Sequence, residues 1–401
     1  MADADAEVNN SASKKELTVD GNSESCSAKV SNKKRREGVK VKKSKKRKKK
    51  NGAAKSGEKN VKVKKIKREV DKKNGAKKKN GRKKVNSAQR FCRPKTVSIA
   101  LPGSIVDNCQ SRELQSYVAG QVARAAAIFQ IDEVIVFNES PATAIKPRWN
   151  PNVFLARILQ YLETPQYLRK PLFTMQKDLK YAGLLNPLDT PHHMKMEDVT
   201  PFREGVVVNR PAKASRSWVN VGLRREVLID YSIPPKTRVT VKMGESRDAS
   251  TAATADPKPY GTRGTAVAFT TPRDEQKLYW GYQTRIASSL SAVWEECPFK
   301  SGYDVTIGTS ERGDSSVLDA DFAIPQCKHL LIVFGGVQGL EIAVDADSKL
   351  EVPGKDARCL FDMWVNTCPF QGSGTIRTEE AILISLSSLS SFVRRNIKGK
   401  S

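Results

Sequence analysis

The sequence predicts an α/β protein: a mostly parallel sheet covered by helices, with a small β-barrel inserted in its middle. Three observations predict it. Short runs such as Glu133–Phe137 and Leu330–Phe334 are apolar on both faces, as an interior parallel strand requires. Two glycine-studded segments, Leu330–Glu341 and Asn366–Thr378, each follow such a run and lead into a helical pattern. That places pliant backbone at a strand's C-terminal edge, where open α/β sheets bind ligands. Between about residues 195 and 280 the pattern changes to short β-type runs separated by Pro, Gly, Ser and Asp clusters, the signature of a small barrel.

Each element follows in order. Thr96–Leu101 is a β-type run closed by Pro102 and Gly103. A helix is predicted from about Arg112 to Gln130, because Leu114, Tyr117, Val118, Val122, Ala125, Ala126 and Phe129 recur at helical spacing. Glu133–Phe137 then completes a βαβ unit. Helical patterns return over Asn152–Leu162 and Gln166–Ala182, broken by Pro165 and stopped by Gly183 and Pro187. The barrel strands are expected at Gly205–Asn209, Trp218–Val221, Glu226–Asp230, Thr237–Met243 and Ala266–Thr270. Afterwards the α/β pattern resumes with a helix at Thr284–Val293, the strand Tyr303–Ile307 and its loop Gly308–Gly313, and the strand His329–Phe334. A helix at Val337–Val344, a strand at Arg358–Val365 and a helix at Ile376–Leu389 complete the sheet.

Charge divides the chain. Of its 401 residues, 70 are Lys or Arg and 43 Asp or Glu, a net charge of +27. Residues 1–90 contribute 32 basic and 10 acidic side chains, or +22, which leaves +5 for the rest. With runs such as Lys42–Lys50 and almost nothing apolar to bury, this tail cannot offset its ordering entropy and is predicted to be disordered. It suits nuclear import, nonspecific phosphate contact, or both. The predicted organisation is therefore a tail over 1–90, the first part of the α/β domain over 91–194, the barrel over 195–280, and the second part with its loops over 281–401.

Seven cysteines, at 26, 92, 109, 297, 327, 359 and 368, form no Cys-x-x-Cys pair, and the chain has three histidines, so neither a zinc site nor a disulfide scaffold is expected. His192 and His193 sit in a Pro-rich connector with no third ligand in sight. The first residues are acidic rather than basic and apolar, and no apolar stretch reaches the ~18 residues of a membrane helix. The expectation is a soluble intracellular protein, resident in the nucleus.

Three loops, Gly308–Gly313, Gly335–Gly339 and Asn366–Thr378, lie at strand C-termini in the second half of the sheet. None is a Gly-x-G-x-x-Gly dinucleotide fingerprint with its acidic partner, and none is a phosphate-binding loop ending in Gly-Lys-Ser/Thr. A nucleotide- or NAD-dependent enzyme is thereby disfavoured. What remains is a pocket of main-chain amides and carbonyls suited to a flat heterocycle, with glycine permitting close approach and Pro369 restricting the third loop. Taken singly, each loop also reads as a tight turn.

The run Val97-Ser-Ile-Ala-Leu-Pro-Gly-Ser-Ile-Val-Asp-Asn108, followed by Tyr117–Arg124 and Asp132–Phe137, resembles the start of the SPOUT-class RNA methyltransferases. The branch it resembles includes the eukaryotic centromere-associated SPOUT-domain proteins and their archaeal relatives. Phe334-Gly-Gly-Val-Gln-Gly-Leu-Glu341 and Asn366-Thr-Cys-Pro-Phe-Gln-Gly-Ser-Gly-Thr-Ile-Arg-Thr-Glu-Glu380 resemble its later motifs. The resemblance spans about 91–395. It implies a sheet whose C-terminal part is tied in a trefoil knot, S-adenosylmethionine held in the knot loops, a homodimer with shared active sites, and an OB-type RNA-binding insertion.

Carried over by motif, the cofactor would meet Thr309 and Ser310 in the first loop and Gly335, Gly336 and Gly339 in the second. Asn366, Cys368, Gln371, Gly372, Ser373, Thr375 and Ile376 follow in the third. Candidates for charge work are Arg124, Glu311, Arg312, Arg377 and Glu379, with Glu311 as the base that removes a proton from the acceptor. Arg124 interrupts an apolar helix, where an unpaired guanidinium is costly, so it is expected to meet a phosphate or carboxylate or to form a structural salt bridge. Cys368 reads as a small pocket-lining residue rather than a nucleophile, since no activating partner is visible in the sequence.

In the barrel, Trp218, Arg224, Arg225, Lys236, Arg238 and Lys242 combine aromatic and basic character along β-type segments, as a face that stacks bases and neutralises phosphates would. A structural tryptophan among ordinary surface charges is the alternative. The expected activity is adenosylmethionine-dependent RNA methylation. The polybasic tail points to ribosomal RNA and the nucleolus, and N3 of a uridine is the chosen acceptor. A non-catalytic RNA-binding adaptor of the spindle or kinetochore, keeping the knotted fold as a scaffold, stands as the second reading.

Overall fold

A computed structural model describes residues 96–140, 149–212, 215–244 and 263–395; the predicted basic tail, Cys26 and Cys92 lie outside the described residues. The chain enters on β1 (Thr96–Pro102), passes through a 3-10 turn at Gly103–Asn108 into helix α1 (Arg112–Ile128), and returns on β2 (Glu133–Phe137). Ser111 caps α1 by accepting from Leu114 N–H. Helices α2 (Pro151–Glu163) and α3 (Gln166–Leu172) follow. Asn150 caps α2, with Pro151 at the first helical position, where its missing N–H costs nothing. The second helical pattern, expected to reach Ala182, stops at Leu172 after the internal Pro171 and breaks into 3-10 turns at Lys177–Leu179 and Ala182–Leu184.

Five strands then close a barrel: β3 (Phe202–Val207), β4 (Ser217–Asn220), β5 (Val227–Ile229), β6 (Arg238–Met243) and β7 (Arg263–Val267), in the order β3-β4-β5-β7-β6. Only β5 and β7 pair in parallel, which is the connectivity of an OB barrel. Inward-pointing Val207, Val219, Val227, Ile229 and Val241 fill it. After the short helix α4 (Thr271–Gln276) the chain rejoins the sheet on β8 (Gln283–Ala287) and turns through α5 (Ser291–Glu295). Here the structure corrects the sequence reading. Ile286, Leu290 and Val293 carry helical spacing, yet Gln283–Ala287 pairs in parallel with the whole of β2, and only the second half is helical.

The remaining elements are β9 (Val305–Thr309), β10 (Ser315–Ser316), β11 (His329–Val333), α6 (Glu341–Ala346), β12 (Met363–Asn366) and α7 (Thr378–Arg395). Further boundaries move, two starts by the most. The helix expected at Val337 starts at Glu341, because Gly336–Gly339 closes a tight turn with Gly339 at φ 80°. The strand expected from Arg358 starts at Met363, after a 3-10 segment at Gly354–Leu360.

The seven sheet strands run in the order β10-β12-β9-β11-β1-β2-β8 and pair in parallel. Alternate residues feed two cores. Val97, Ile99, Leu101, Val134 and Val136 face α1, α2 and α7, while Ala100, Ile135, Phe137, Leu331 and Val333 face α5 and α6. β12 sits between β9 and β10, which are consecutive in the chain, so the loop joining those two must cross its end. The crossing is tight: a Cβ at Gly313 would lie 2.1 Å from Asn366 N. The chain reaches β12 from the α6 side, where Ala357 and Leu360 pack, and leaves it on the other face as α7, whose Phe392 packs on Phe322 of the returning loop. This path fits the threaded connection that the resemblance implies.

Barrel and sheet meet through buried charge. Arg238 of β6 donates to Glu163 of α2 at 2.5 and 3.0 Å and to Glu204 of β3 at 2.7 Å. The two carboxylates are 5% and 1% exposed. Thr240 and the indole of Trp280 complete the shell of Glu204, and Nε2 of His192 lies 2.9 Å from Glu163. Arg238, expected on a nucleic-acid face, is thus a structural cation. Burial alone would push Glu163 up, but Arg238 and His192 hold it down at about 2. The His192–His193 pair serves Glu163 as well, both rings bonding its carbonyl.

Candidate functional site

Three loops converge at the C-terminal edge of the sheet and enclose a cleft of about 250 Å³. Thr309, Ser310, Glu311 and Arg312 come from the end of β9; Gly335, Gly336 and Gly339 from the turn after β11; Asn366, Cys368, Gln371, Thr375 and Ile376 from the loop after β12. The sheet order makes this possible, since β12, β9 and β11 are neighbours and end at one edge. Gly372 and Ser373 differ from expectation: neither lines the cleft, and Ser373 opens instead onto the neighbouring groove beside α1.

Hydrogen bonds lock the loops to each other. Thr309 donates to Val333 C=O at 3.0 Å, Ser310 N–H to Val365 C=O at 3.1 Å, and Thr378 to Gly335 C=O at 2.9 Å. Asn366 does double work: its amide donates to Glu311 C=O at 2.9 Å, and its Oδ1 accepts from Cys368 N–H at 3.0 Å. At Gly335 any side chain would collide with the main chain of Gly339 and Leu340, at 2.4 and 2.6 Å. Glycine is required there by space, and at Gly339 by its left-handed φ as well.

The charged candidates divide. Glu311 (54% exposed) and Arg312 (80% exposed) both line the cleft, 3.9 Å apart. Arg377 is exposed at the start of α7, where its N–H donates to Glu380, and Glu379 faces the adjoining groove. Arg124 pairs with no carboxylate among the described residues: its guanidinium donates to the carbonyls of Pro187 and Leu188 at 3.1 and 2.8 Å, at the wall of that groove. Cys368 is a partly buried wall residue.

Several lining groups escaped the sequence reading. Glu341 and Thr378 line the cleft, and Ile384 and Ala381 of α7 give it an apolar floor. Glu139, at the end of β2, lies against the second loop, since a Cβ at Gly336 would sit 2.7 Å from its carboxyl oxygen. Burial pushes the Glu139 carboxyl up, opposed by the hydrogen bond from Ser104. Its position at a strand's C-terminal edge was the available signal.

On the barrel, Trp218 is half-buried with the Arg210 guanidinium 4.3 Å over its ring, and Arg224 and Arg225 are exposed in the turn between β4 and β5. Trp218 lies on the second barrel strand, and the two arginines lie in the turn joining it to the third; OB barrels use the face of these two strands for oligonucleotides. Lys236 is exposed in a turn at φ 64°. Lys242 is tied to Glu275 at 2.7 Å. Among the described residues no group of three or more His, Cys, Asp or Glu could hold a metal ion, and no helix is long and apolar enough to cross a membrane.

Comparison with known proteins bears on what this cleft does. A family model described as "Putative RNA methyltransferase" matches residues 96–389. The 28S rRNA (uridine-N(3))-methyltransferase of Homo sapiens is 52% identical over 307 residues, covering 74% of this chain and 78% of that protein. Its counterpart in Mus musculus is 53% identical over 74% and 76%, and that in Drosophila melanogaster 49% identical over 74% and 62%.

Proposed function

Since the chain belongs to this RNA methyltransferase family, we propose that it transfers a methyl group from S-adenosylmethionine to N3 of a uridine in ribosomal RNA. The observation that carries the reading is the convergence of three interlocked loops on one cleft. The cleft fits the cofactor: small residues and main chain leave room for a flat ring, Ile384 and Ala381 offer an apolar floor, and Glu311 and Glu341 complement its positive charge. Bound there, the cofactor supplies a sulfonium-activated methyl group. Thr309, Ser310, Gly335, Gly336, Gly339, Asn366, Cys368, Gln371, Thr375 and Ile376 would hold it, and their mutual hydrogen bonds fix the approach geometry on which the rate depends.

Glu311 is assigned as the base. Its exposed carboxylate faces the cleft and is held through its own main chain by Asn366, where it can accept the N3 proton as nitrogen attacks. Arg312 and Arg377 would neutralise phosphates beside the target, and Trp218, Arg224 and Arg225 would hold more distant RNA. A second copy of the chain would cover the apolar groove between α1 and α7, where Tyr117, Ile128 and Leu383 are exposed, and would bring its own surface to Thr375 and Ile376. This supports a homodimer with shared sites. An rRNA substrate supports a nuclear, nucleolar residence; fluorescence imaging through mitosis tests that and the spindle association together.

Purified protein incubated with methyl-labelled adenosylmethionine and ribosomal RNA is expected to yield labelled 3-methyluridine. Label in another nucleoside would overturn the acceptor, and no label in RNA would overturn the enzyme.

A further inference from the structure

Phe370 is the most conspicuous side chain that the site does not use. It lies in the third loop between Cys368 and Gln371, both of which line the cleft, and it is 96% exposed. Its backbone sits at φ 63°, the left-handed region that bulky side chains avoid. The loop therefore carries a strained aromatic that gains almost no packing among the described residues. The strain is held from both sides: Asn366 fixes Cys368, and the Gln371 amide donates to Ser373 C=O at 3.0 Å. Strain maintained in this way at a ligand loop points to a role for the side chain it presents.

Its surroundings narrow that role. Val337, 70% exposed, lines the same cleft from the second loop, the exposed Arg312 lines it from the first, and the exposed Arg377 follows the third in the chain. An exposed ring on the loop of a cleft that also presents an unburied guanidinium group matches single-stranded RNA, in which bases stack on aromatics and phosphates take the cations. The acceptor N3 also lies on the pairing edge of uracil, so the target must leave its helix before it can react, and an unstacked base needs a new face.

We propose that Phe370 is a stacking platform for a base of the substrate RNA strand at the mouth of the cofactor cleft. The proposal rests on the RNA methyltransferase reading, and its test separates the two. In the full chain, Phe370→Gly removes the ring and also relieves the backbone strain, whereas Phe370→Trp keeps a stacking face. Binding of a short single-stranded uridine-containing RNA, followed by fluorescence anisotropy, is expected to weaken on the order of tenfold in Phe370→Gly and to return in Phe370→Trp. Phe370→Gly should unfold at the same or a higher temperature than the parent and bind adenosylmethionine unchanged. Equal RNA affinity of parent and Phe370→Gly would overturn the proposal. So would a lower unfolding temperature with lost cofactor binding, which marks a structural role, or a shift in sedimentation, which marks a contact with a second copy. Methyl transfer by the parent protein is measured alongside: its absence sinks the enzyme reading, while the anisotropy still decides the stacking platform.

Discussion

The junction between barrel and sheet and the cleft at the sheet's edge use the same residue types in opposite ways. At the junction, Arg238, Glu163 and Glu204 are removed from water and matched, each carboxylate oxygen having a donor. At the cleft, Glu311 and Arg312 stand in solvent 3.9 Å apart. A buried ion network is costly to assemble and more costly to break, so it fixes geometry; exposed charges contribute little to stability and are free to meet a ligand. The junction fixes the barrel against α2, and the cleft leaves its charges in solvent.

The sharpest way to break the contrast is at Glu204. Glu204→Ala leaves Arg238, Thr240 and Trp280 without their shared acceptor, and chemical denaturation is expected to show a loss of about 3–5 kcal/mol. At the cleft the largest effect falls on binding. Gly335→Val drives a side chain into Gly339 and Leu340, and calorimetry should show adenosylmethionine affinity reduced roughly 100-fold, about 2.7 kcal/mol, with the barrel unaffected.

Acid distinguishes the regions too. His193 is held at about 3 by burial and by His192, against an ordinary 6.5, and Glu163 at about 2 against 4.5. Below about pH 6.5 the unfolded chain takes up a proton at His193 that the folded one refuses, and below about 4.5 another at Glu163. Stability supplied by the junction is therefore whole above pH 6.5 and declines down to about pH 2. His193→Gln is expected to remove the upper limb of that decline in thermal scans. The smallest effects belong to exposed charge. Arg312→Ala should raise KM for RNA severalfold at unchanged unfolding temperature, and Lys242→Ala, which loses its exposed Glu275 pair and a loose contact with the Phe202 ring, should change stability by less than about 1 kcal/mol.

These regions also differ in how well the sequence reveals them. The cleft was legible because its determinants are local: glycines at strand ends, with Asn366 and Thr309 at the points where β12 and β9 stop. Gly372 and Ser373 show the limit, since loop curvature rather than order along the chain decides which side chain faces inward. The junction was not legible. Arg238 alternates with Val239 and Val241 as a solvent-facing residue would, and nothing near it announces Glu163, 75 residues earlier. The same holds for Gln283–Ala287, whose strand state comes from pairing with β2, about 150 residues away. Arg124 was recognised as out of place in an apolar helix, but its partners are carbonyls, which no sequence pattern marks.

The placement of β12 between β9 and β10 has a consequence for synthesis. The strand and helix that complete the cleft follow in the chain every other element they pass between, so they emerge from the ribosome after the loop they must cross is already made. Until Asn366 and α7 are seated, the first two loops face open solvent and have no third wall. A chain cut short before Asn366 includes every barrel strand but lacks the third wall of the cleft. Cofactor binding thus reports that Asn366 and α7 are in place and that the last crossing has been made.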